Sequence, residues 1–147
     1  MKNVIVVLFM FISSISVAQQ AQKTLLKTFP LNGQEQVVLN LDGDVHIERW
    51  NNPTVRVQME ITYHNANVNI MKYLISKGRY NLTTEGTADG LAITNPNTGK
   101  NVQISKEGKI LKETIAYKVF LPENVSFIVA EKSQASVVSN DGEIATQ

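Results

Sequence analysis

The stretch VVLNLDGDVHIERW, residues 37–50, decides the fold class of this 147-residue chain. Apolar residues alternate with polar ones on both sides of Asp42 and Gly43: Val37, Leu39 and Leu41 before them, Val45 and Ile47 after them. A period of two places alternate side chains on opposite faces of a β-strand. Asp-Gly is favoured in tight hairpin turns because both residues tolerate positive φ. The stretch therefore predicts two short strands that meet at a corner.

The same alternation recurs through most of the chain. It is clearest in TVRVQMEITY, residues 54–63, where Val55, Val57, Met59 and Ile61 share one face. A second long strand is predicted in KETIAYKVFLP, residues 112–122, and its terminal proline ends it. Strands at intervals of about ten residues indicate a mainly β fold, a β-solenoid-like or sandwich-like stack of short antiparallel or rung strands.

One segment departs from the period of two. Between Asn67 and Lys77 the apolar residues recur at helical spacing, and Gly78 suits the position that follows a helix. Asn65 or Asn67 can cap the start of the segment. The sequence therefore predicts one short helix over residues 67–77, whose apolar face covers one side or end of the sheet.

The first residues, MKNVIVVLFMFISSISVAQQ, have the organisation of a signal peptide. Lys2 precedes an uncharged apolar run over residues 4–12, and Ser16 and Ala18 are the small residues of a cleavage site. The run is shorter than the roughly 20 residues that span a membrane. We expect a signal peptide over 1–18, a polar and frayed leader over 19–23, and a single domain over 24–147. This predicts an exported protein that is periplasmic, on the outer surface or secreted.

Composition excludes several classes of protein. The chain has no cysteine, so it is not a lipoprotein and has neither disulfides nor thiolate metal sites. Its 14 Lys and Arg against 13 Asp and Glu give a net charge of +1, and removal of Lys2 with the signal peptide leaves zero. Nucleic-acid binders show a basic excess, and a neutral protein gains no attraction to anionic lipid. We expect neither nucleic acid nor a membrane as partner.

Two acidic turns suggest calcium at first sight. They contain Asp42, Asp44 and Glu48 in one case, and Asp141 and Glu143 in the other. Calcium takes six to eight oxygen ligands, however, and neither turn has the spacing of an EF-hand. The sequence therefore predicts turns, with no metal site and no cofactor.

Motifs for catalysis are also lacking. The sequence has no G-x-S-x-G, and His46 and His64 lie far apart without a pattern of metal ligands. Glu60 or Glu113 can pair with another carboxylate as in a glycosidase, but the sequence singles out no such pair. We expect no enzyme, and a small hydrolase with a carboxylate pair is the weaker alternative.

Aromatic residues offer another alternative, a carbohydrate-binding module. Sugar stacking needs flat apolar area exposed on one face. The candidates are Trp50, Tyr63, Tyr73, Tyr80 and Tyr117.

The C-terminal strands are the predicted contact surface. Residues 142–147 carry one charge, residues 133–140 carry none, and neither segment has the proline that protects many edge strands. We expect Ile144 and Val137, with Trp50, to form the contact. The partner is either a second copy of the chain or an envelope or surface protein, joined by strand addition.

From Thr24 onward the chain resembles the putative-adhesin, or Toastrack-like, domains of exported bacterial proteins, especially those of Bacteroidetes. The shared features are a Phe29-x-Leu31 segment, the glycine turn, tryptophan and V-x-V strand of LNLDGDVHIERWNNPTVRVQ, a short helix, and YKVFLPENVSFIVAEKSQASVVSNDG. The most specific piece is Y-x-V-x-L-P-x-x-V, residues 117–125. The resemblance implies a right-handed β-solenoid of stacked rungs that serves surface adhesion or envelope signalling, without an active site. We therefore expect a non-catalytic module that acts by protein–protein contact or adhesion.

Overall fold

The computed structural model describes residues 20–88, 90–98, 105–106, 109–130, 135–138 and 144–146. The predicted signal peptide lies outside these residues. The strands are β1 Ala21–Pro30, β2 Gln36–Asn40, β3 Asp44–Trp50, β4 Thr54–Tyr63, β5 Thr83–Thr87, β6 Gly90–Thr94, β7 Ser105–Lys106, β8 Lys109–Ile110, β9 Glu113–Pro122, β10 Ser126–Val129, β11 Ala135–Val138 and β12 Ile144–Thr146. One helix, α1, spans Val68–Ser76.

The strands form two main sheets. A six-stranded sheet, called sheet A, has the order β1-β4-β9-β3-β11-β12, and a four-stranded sheet, called sheet B, has the order β10-β2-β6-β5. Strands β7 and β8 form a separate hairpin. Both main sheets contain parallel and antiparallel pairs. The prediction of a mainly β protein with one short helix is confirmed, whereas the described residues do not establish a solenoid or a closed barrel.

The corner at Gly43 joins the two sheets and is not a hairpin. Strand β2 before it belongs to sheet B, and β3 after it belongs to sheet A. Gly43 has φ +146, and a Cβ at this position would collide with the carbonyl oxygen of Ile115. The prediction of a corner was right, but the expectation of a hairpin turn was wrong, because each of the two strands pairs with other strands.

A path through both sheets is repeated later in the chain. Strand β10 runs parallel to β2, with Phe127 opposite Val37, and β11 runs parallel to β3, with Val137 opposite Ile47. Strands β10 and β11 thus follow β2 and β3, one strand further along each sheet. Strands β6 and β9 pair in parallel with the other sides of β2 and β3.

The core lies between the inner faces of the two sheets. All four apolar residues predicted to share one face of β4 are buried, with 2% exposure or less. The facing positions of β9 and of β2, β3 and β6 belong to the same hydrophobic cluster. Burial on this scale contributes roughly 1.5–3 kcal/mol for each large apolar side chain, so the alternation read from the sequence supplies the main stabilisation.

Helix α1 lies one residue inside the predicted bounds at each end, and of the two predicted capping residues it is Asn67 that caps it. The Asn67 side chain accepts hydrogen bonds from the amides of Asn69 and Ile70, at 3.1 and 3.2 Å. At the other end Gly78 has φ +75, its amide donates to Ile75, and the Arg79 amide donates to Leu74. This is a Schellman motif, which requires a left-handed residue after the helix.

Strand β1 begins earlier than the sequence suggests. Residues 21–23, expected in a frayed leader, pair with the end of β4, and Ala21 lies opposite Tyr63 with 8% exposure. The alternation of apolar and polar residues is interrupted in β1, because Lys23 and Lys27 occupy the positions opposite the buried residues Ile61 and Val57. The polar leader therefore does not extend to residue 23.

Candidate functional site

Two of the three predicted contact residues, Val137 and Ile144, lie on the last two strands of sheet A among the described residues. Strand β12 is the terminal strand of the sheet, and Ile144 pairs with Val138 on β11. Val137 lies opposite Ala145 on one side and Ile47 on the other. Trp50 is on the adjacent strand β3, but beyond the residues that pair with β11. The structure therefore places Val137 and Ile144 on neighbouring strands and sets Trp50 apart from them.

Trp50 is engaged within the protein. Its indole nitrogen donates to the carbonyl oxygen of Thr54 at 2.9 Å, and the Arg56 guanidinium lies 4.6 Å from the centre of its ring. The Phe120 ring lies 5.5 Å away at an angle of 40°. Since these neighbours occupy much of the indole surface, Trp50 is poorly suited to stack on a sugar.

The tyrosines do not form a sugar platform either. Tyr63, Tyr80 and Tyr117 are 3% exposed or less and belong to the core cluster. Tyr73 is 60% exposed, on α1 with the Lys77 ammonium 5.6 Å from its ring. Two coplanar exposed aromatic rings are not present among these residues, so the geometry does not favour a carbohydrate-binding module.

A polar cluster missed by the sequence reading surrounds Glu113. The Arg79 guanidinium donates to both oxygens of this carboxylate, from Nη2 to Oε2 at 2.7 Å and from Nε to Oε1 at 3.2 Å. The Tyr63 hydroxyl donates to Oε1 at 2.7 Å, and the Tyr80 hydroxyl donates to the same oxygen. The side chains of Arg79 and Glu113 are only 12% and 14% exposed. The cluster therefore ties the end of β4, the segment after α1 and the start of β9 together.

These contacts fix the charge states of the Glu113 cluster (Tyr63, Arg79, Tyr80 and Glu113). Burial by itself raises the pKa of Glu113, but the hydrogen bonds from Arg79, Tyr80 and Tyr63 outweigh burial and hold the pKa below its usual value. Burial raises the pKa of Tyr63 and of Tyr80 well above the usual range. The carboxylate is thus ionised and the phenols neutral near pH 7. A catalytic acid or base needs a pKa near the working pH, and this cluster has none.

Part of this cluster can be predicted from the sequence. Tyr63 continues the buried face of β4 at a period of two, so its burial could be read from the pattern. The sequence suggests Glu113 as one half of a carboxylate pair, but in the structure its partner is the cation Arg79. No local signal links it with Arg79, which is 34 residues away in the chain.

The acidic corner lies beside this cluster. Asp42, Gly43 and Asp44 line an open depression of about 330 Å³, whose wall also includes Thr98 and Glu113. No group of three or more possible metal ligands occurs among the described residues. Glu113 is already bound to Arg79, so two carboxylates remain, which is far below the ligand number of calcium.

The other acids and the histidines are dispersed. Glu48 forms an ion pair with Lys118 at 2.6 Å, and Glu60 accepts a hydrogen bond from Gln22. His64 Nε2 lies 3.0 Å from the Thr114 hydroxyl, while His46 is half-buried on β3. Asp141 and Glu143 lie outside the described residues. The carboxylates that share a depression among the described residues are thus Asp42, Asp44 and Glu113, and the pKa of Glu113 is lowered, whereas a general acid needs a raised one.

Comparison with known proteins adds one structural likeness. No protein-family model matches the chain, and no curated protein matches it. The chain is similar to the crystal structure of a "putative cell adhesion protein" from Clostridium sporogenes, with a TM-score of 0.41 and 16% identity. The similarity covers 80% of this chain and 48% of the other, so this chain spans about half of that protein's length. An identity this low does not transfer the role of that protein to this chain.

No helix in the part of the chain that the structure describes is long and apolar enough to cross a membrane.

Proposed function

We propose that this protein is an exported, non-catalytic module of the cell envelope or cell surface that acts by protein–protein contact or adhesion. The observation that carries the proposal is the position of β12 as the terminal strand of sheet A, paired on one side with β11. The backbone groups on the other side of such a strand can bind a further strand. The finer assignment, to the Toastrack-like β-solenoid family, is part of this proposal.

The properties of the Glu113 cluster support a non-catalytic role. Its carboxylate is saturated by an arginine and two tyrosines, and its pKa is low. Such a group has a structural role, because removing one partner of a buried ion pair leaves the other charge uncompensated and costs about 3–5 kcal/mol. Protein contact therefore suits this structure better than hydrolysis.

The repeated path through the sheets supports the solenoid assignment. Strands β10 and β11 add to β2 and β3 in parallel, as the rungs of a solenoid add to one another. A further strand pair, from a partner or from a second copy, would extend the stack in the same direction. The proposed contact uses this geometry at the end of sheet A.

The contact is tested with Ile144→Pro, and Ile144→Val serves as the matched control. Proline removes one backbone donor and one apolar side chain, whereas valine keeps both features. We expect the proline variant to lose association with its partner, measured by light scattering for self-association and by cross-linking in envelope extracts. If the Ile144→Pro variant associates as well as the Ile144→Val variant and the unchanged protein in both measurements, and its melting temperature is unchanged, the proposed contact at β12 is wrong.

Export is tested separately by the N-terminus of the protein made in a related bacterium. Cleavage after Ala18 predicts that the protein recovered from the envelope or the medium begins at Gln19. Protein that begins at Met1 or Lys2 and remains in the cytoplasm contradicts the proposed location.

A further inference from the structure

The opposite edge of sheet A has a second exposed strand, with distinct chemistry. Strand β1 is ten residues long and pairs with β4, and no other strand among the described residues pairs with it. Its register places Lys23 opposite Ile61, Leu25 opposite Met59, and Lys27 opposite Val57. Directly opposed residues point to the same face of a sheet, and the three β4 partners are buried. Both lysines and Leu25 therefore belong to the inner face of the sheet.

A small apolar cavity lies beside this strand. Its volume is about 190 Å³, and its wall includes Leu25, Val57, Met59, Ile75, Tyr80 and Leu82. Lys27 also lines it. A cavity of about 150 Å³ lined by apolar side chains holds a molecule the size of benzene. The space beside β1 therefore suits a single aliphatic or aromatic side chain.

The two lysines of β1 have no charged partner among the described residues. Lys23 and Lys27 are exposed, and neither forms an ion pair or a hydrogen bond within the described part of the chain. Lysines on the inner face of an edge strand normally prevent unwanted pairing, because an added strand must meet their charge. An added strand with carboxylates at the positions opposite the two lysines forms favourable cross-strand charge pairs with them. The two lysines then determine which strands are accepted.

A second copy of the chain does not meet this requirement. If two β1 strands paired in antiparallel fashion about Leu25, Lys23 of each copy would lie opposite Lys27 of the other. Like charges directly opposed across a pair of strands are destabilising. In the register centred on Leu25, the charge pattern therefore disfavours a second copy and favours a strand that carries carboxylates.

We propose that the β1 edge binds an extended segment of another protein with the pattern acid-x-apolar-x-acid. The segment adds to sheet A beside β1, its central apolar side chain enters the cavity beside Leu25, and its two carboxylates face Lys23 and Lys27. Backbone hydrogen bonds supply affinity, and the alternate side chains supply specificity. This surface lies at the opposite edge of sheet A from β12. A test of the β1 proposal therefore does not depend on whether the contact at β12 exists.

The proposal is tested with three fluorescein-labelled peptides and the purified protein. The acidic peptide is Thr-Glu-Thr-Leu-Thr-Glu-Thr, the basic peptide replaces both glutamates by lysine, and the third replaces leucine by alanine. We expect the acidic peptide to bind roughly ten-fold more tightly than the basic peptide, because of the cross-strand charge pairs. We expect a difference of roughly ten-fold from the alanine peptide as well, because of the one buried side chain. Binding is measured by fluorescence anisotropy and is expected to weaken as salt rises.

A charge-reversed protein provides the decisive control. Lys23→Glu combined with Lys27→Glu changes two exposed side chains, so the melting temperature should change little. This variant should prefer the basic peptide, and amide NMR shifts should place both complexes at β1. Should it fail to fold, Lys23→Gln with Lys27→Gln replaces it, and the acidic peptide should then lose its preference.

Four results overturn the proposal. The first is an absence of binding by the acidic peptide, or equal binding of the acidic and basic peptides. The second is that the acidic peptide shifts the amide NMR signals of β12 or β5 and not those of β1. The third is binding of hexanoate as tight as that of the acidic peptide, which means that the cavity takes a small amphiphile. Self-association that is abolished by Lys23→Glu with Lys27→Glu likewise assigns the edge to a second copy and overturns the acidic partner.

Discussion

Two buried tyrosines of the core differ in the environment of their hydroxyl groups. The Tyr63 hydroxyl donates to Glu113, whereas the Tyr117 hydroxyl lies beside Asn95 and Thr98 without forming a hydrogen bond of normal geometry to any described residue. Tyr63→Phe should therefore lower the free energy of unfolding by about 1.5–3 kcal/mol, the value of a hydrogen bond to a charged group. Tyr117→Phe should be neutral or slightly stabilising. Urea denaturation of both variants checks this, and an equal loss in the two contradicts it.

The lowered pKa of Glu113 predicts how the free energy of unfolding depends on pH. Its pKa in the folded protein is lower than in the unfolded chain, so the unfolded chain binds its proton first as the pH falls. Its stabilising contribution is complete above the unfolded pKa of about 4.3 and is lost as the pH falls through the lower folded pKa. Glu113→Gln should lower the free energy of unfolding at pH 7. Between pH 7 and pH 3, the free energy of unfolding of this variant should fall less than that of the unchanged protein. Glu85→Gln, on the exposed strand β5, is the control and should leave the profile unchanged.

At the scale of elements, the N-terminus of α1 gives the sharpest test. The Asn67 side chain satisfies two backbone amides of the first turn. Asn67→Ala removes this cap and should cost about 1 kcal/mol in the free energy of unfolding. Asn69→Ala is the matched control, since this exposed residue lies inside the helix, where alanine is the better helix former. Thermal denaturation followed by circular dichroism compares them, and equal melting temperatures for the two variants would show that the cap contributes nothing.

Strands and the helix could be predicted from the sequence where the pattern that specifies them lies within a few neighbouring residues. The alternation in β4 and the caps of α1 act within a few residues, so the pattern gives both the element and its buried face. The partners of β2 and β3 were not predictable in this way, because the choice of hairpin or sheet-to-sheet corner depends on β6, β9 and the later strands. Strand β1 was missed because lysines stand at two of its inner positions. The link between Arg79 and Glu113 exists only once β4 and β9 are paired.

The whole molecule combines a repeated strand path with a shared core. Stacked repeats that contact only their neighbours unfold in parts, whereas one continuous core unfolds as a unit. Buried residues of both sheets belong to a single cluster, including Ile93 of sheet B and Val45 and Ile47 of sheet A. We therefore expect the two sheets to be coupled thermodynamically, even though strands β10 and β11 repeat the path of β2 and β3.

This coupling can be measured because Trp50 is the only tryptophan of the chain and lies on β3 of sheet A. Ile93→Ala removes a fully buried side chain from sheet B and should cost about 2–5 kcal/mol. With one core, the denaturation midpoint must fall by the same amount in tryptophan fluorescence and in far-ultraviolet circular dichroism. Ile128→Ala on β10, where the side chain is 47% exposed, should change both midpoints little. If Ile93→Ala shifts the dichroism midpoint and leaves the fluorescence midpoint in place, sheet B unfolds without sheet A, and the shared core does not couple them.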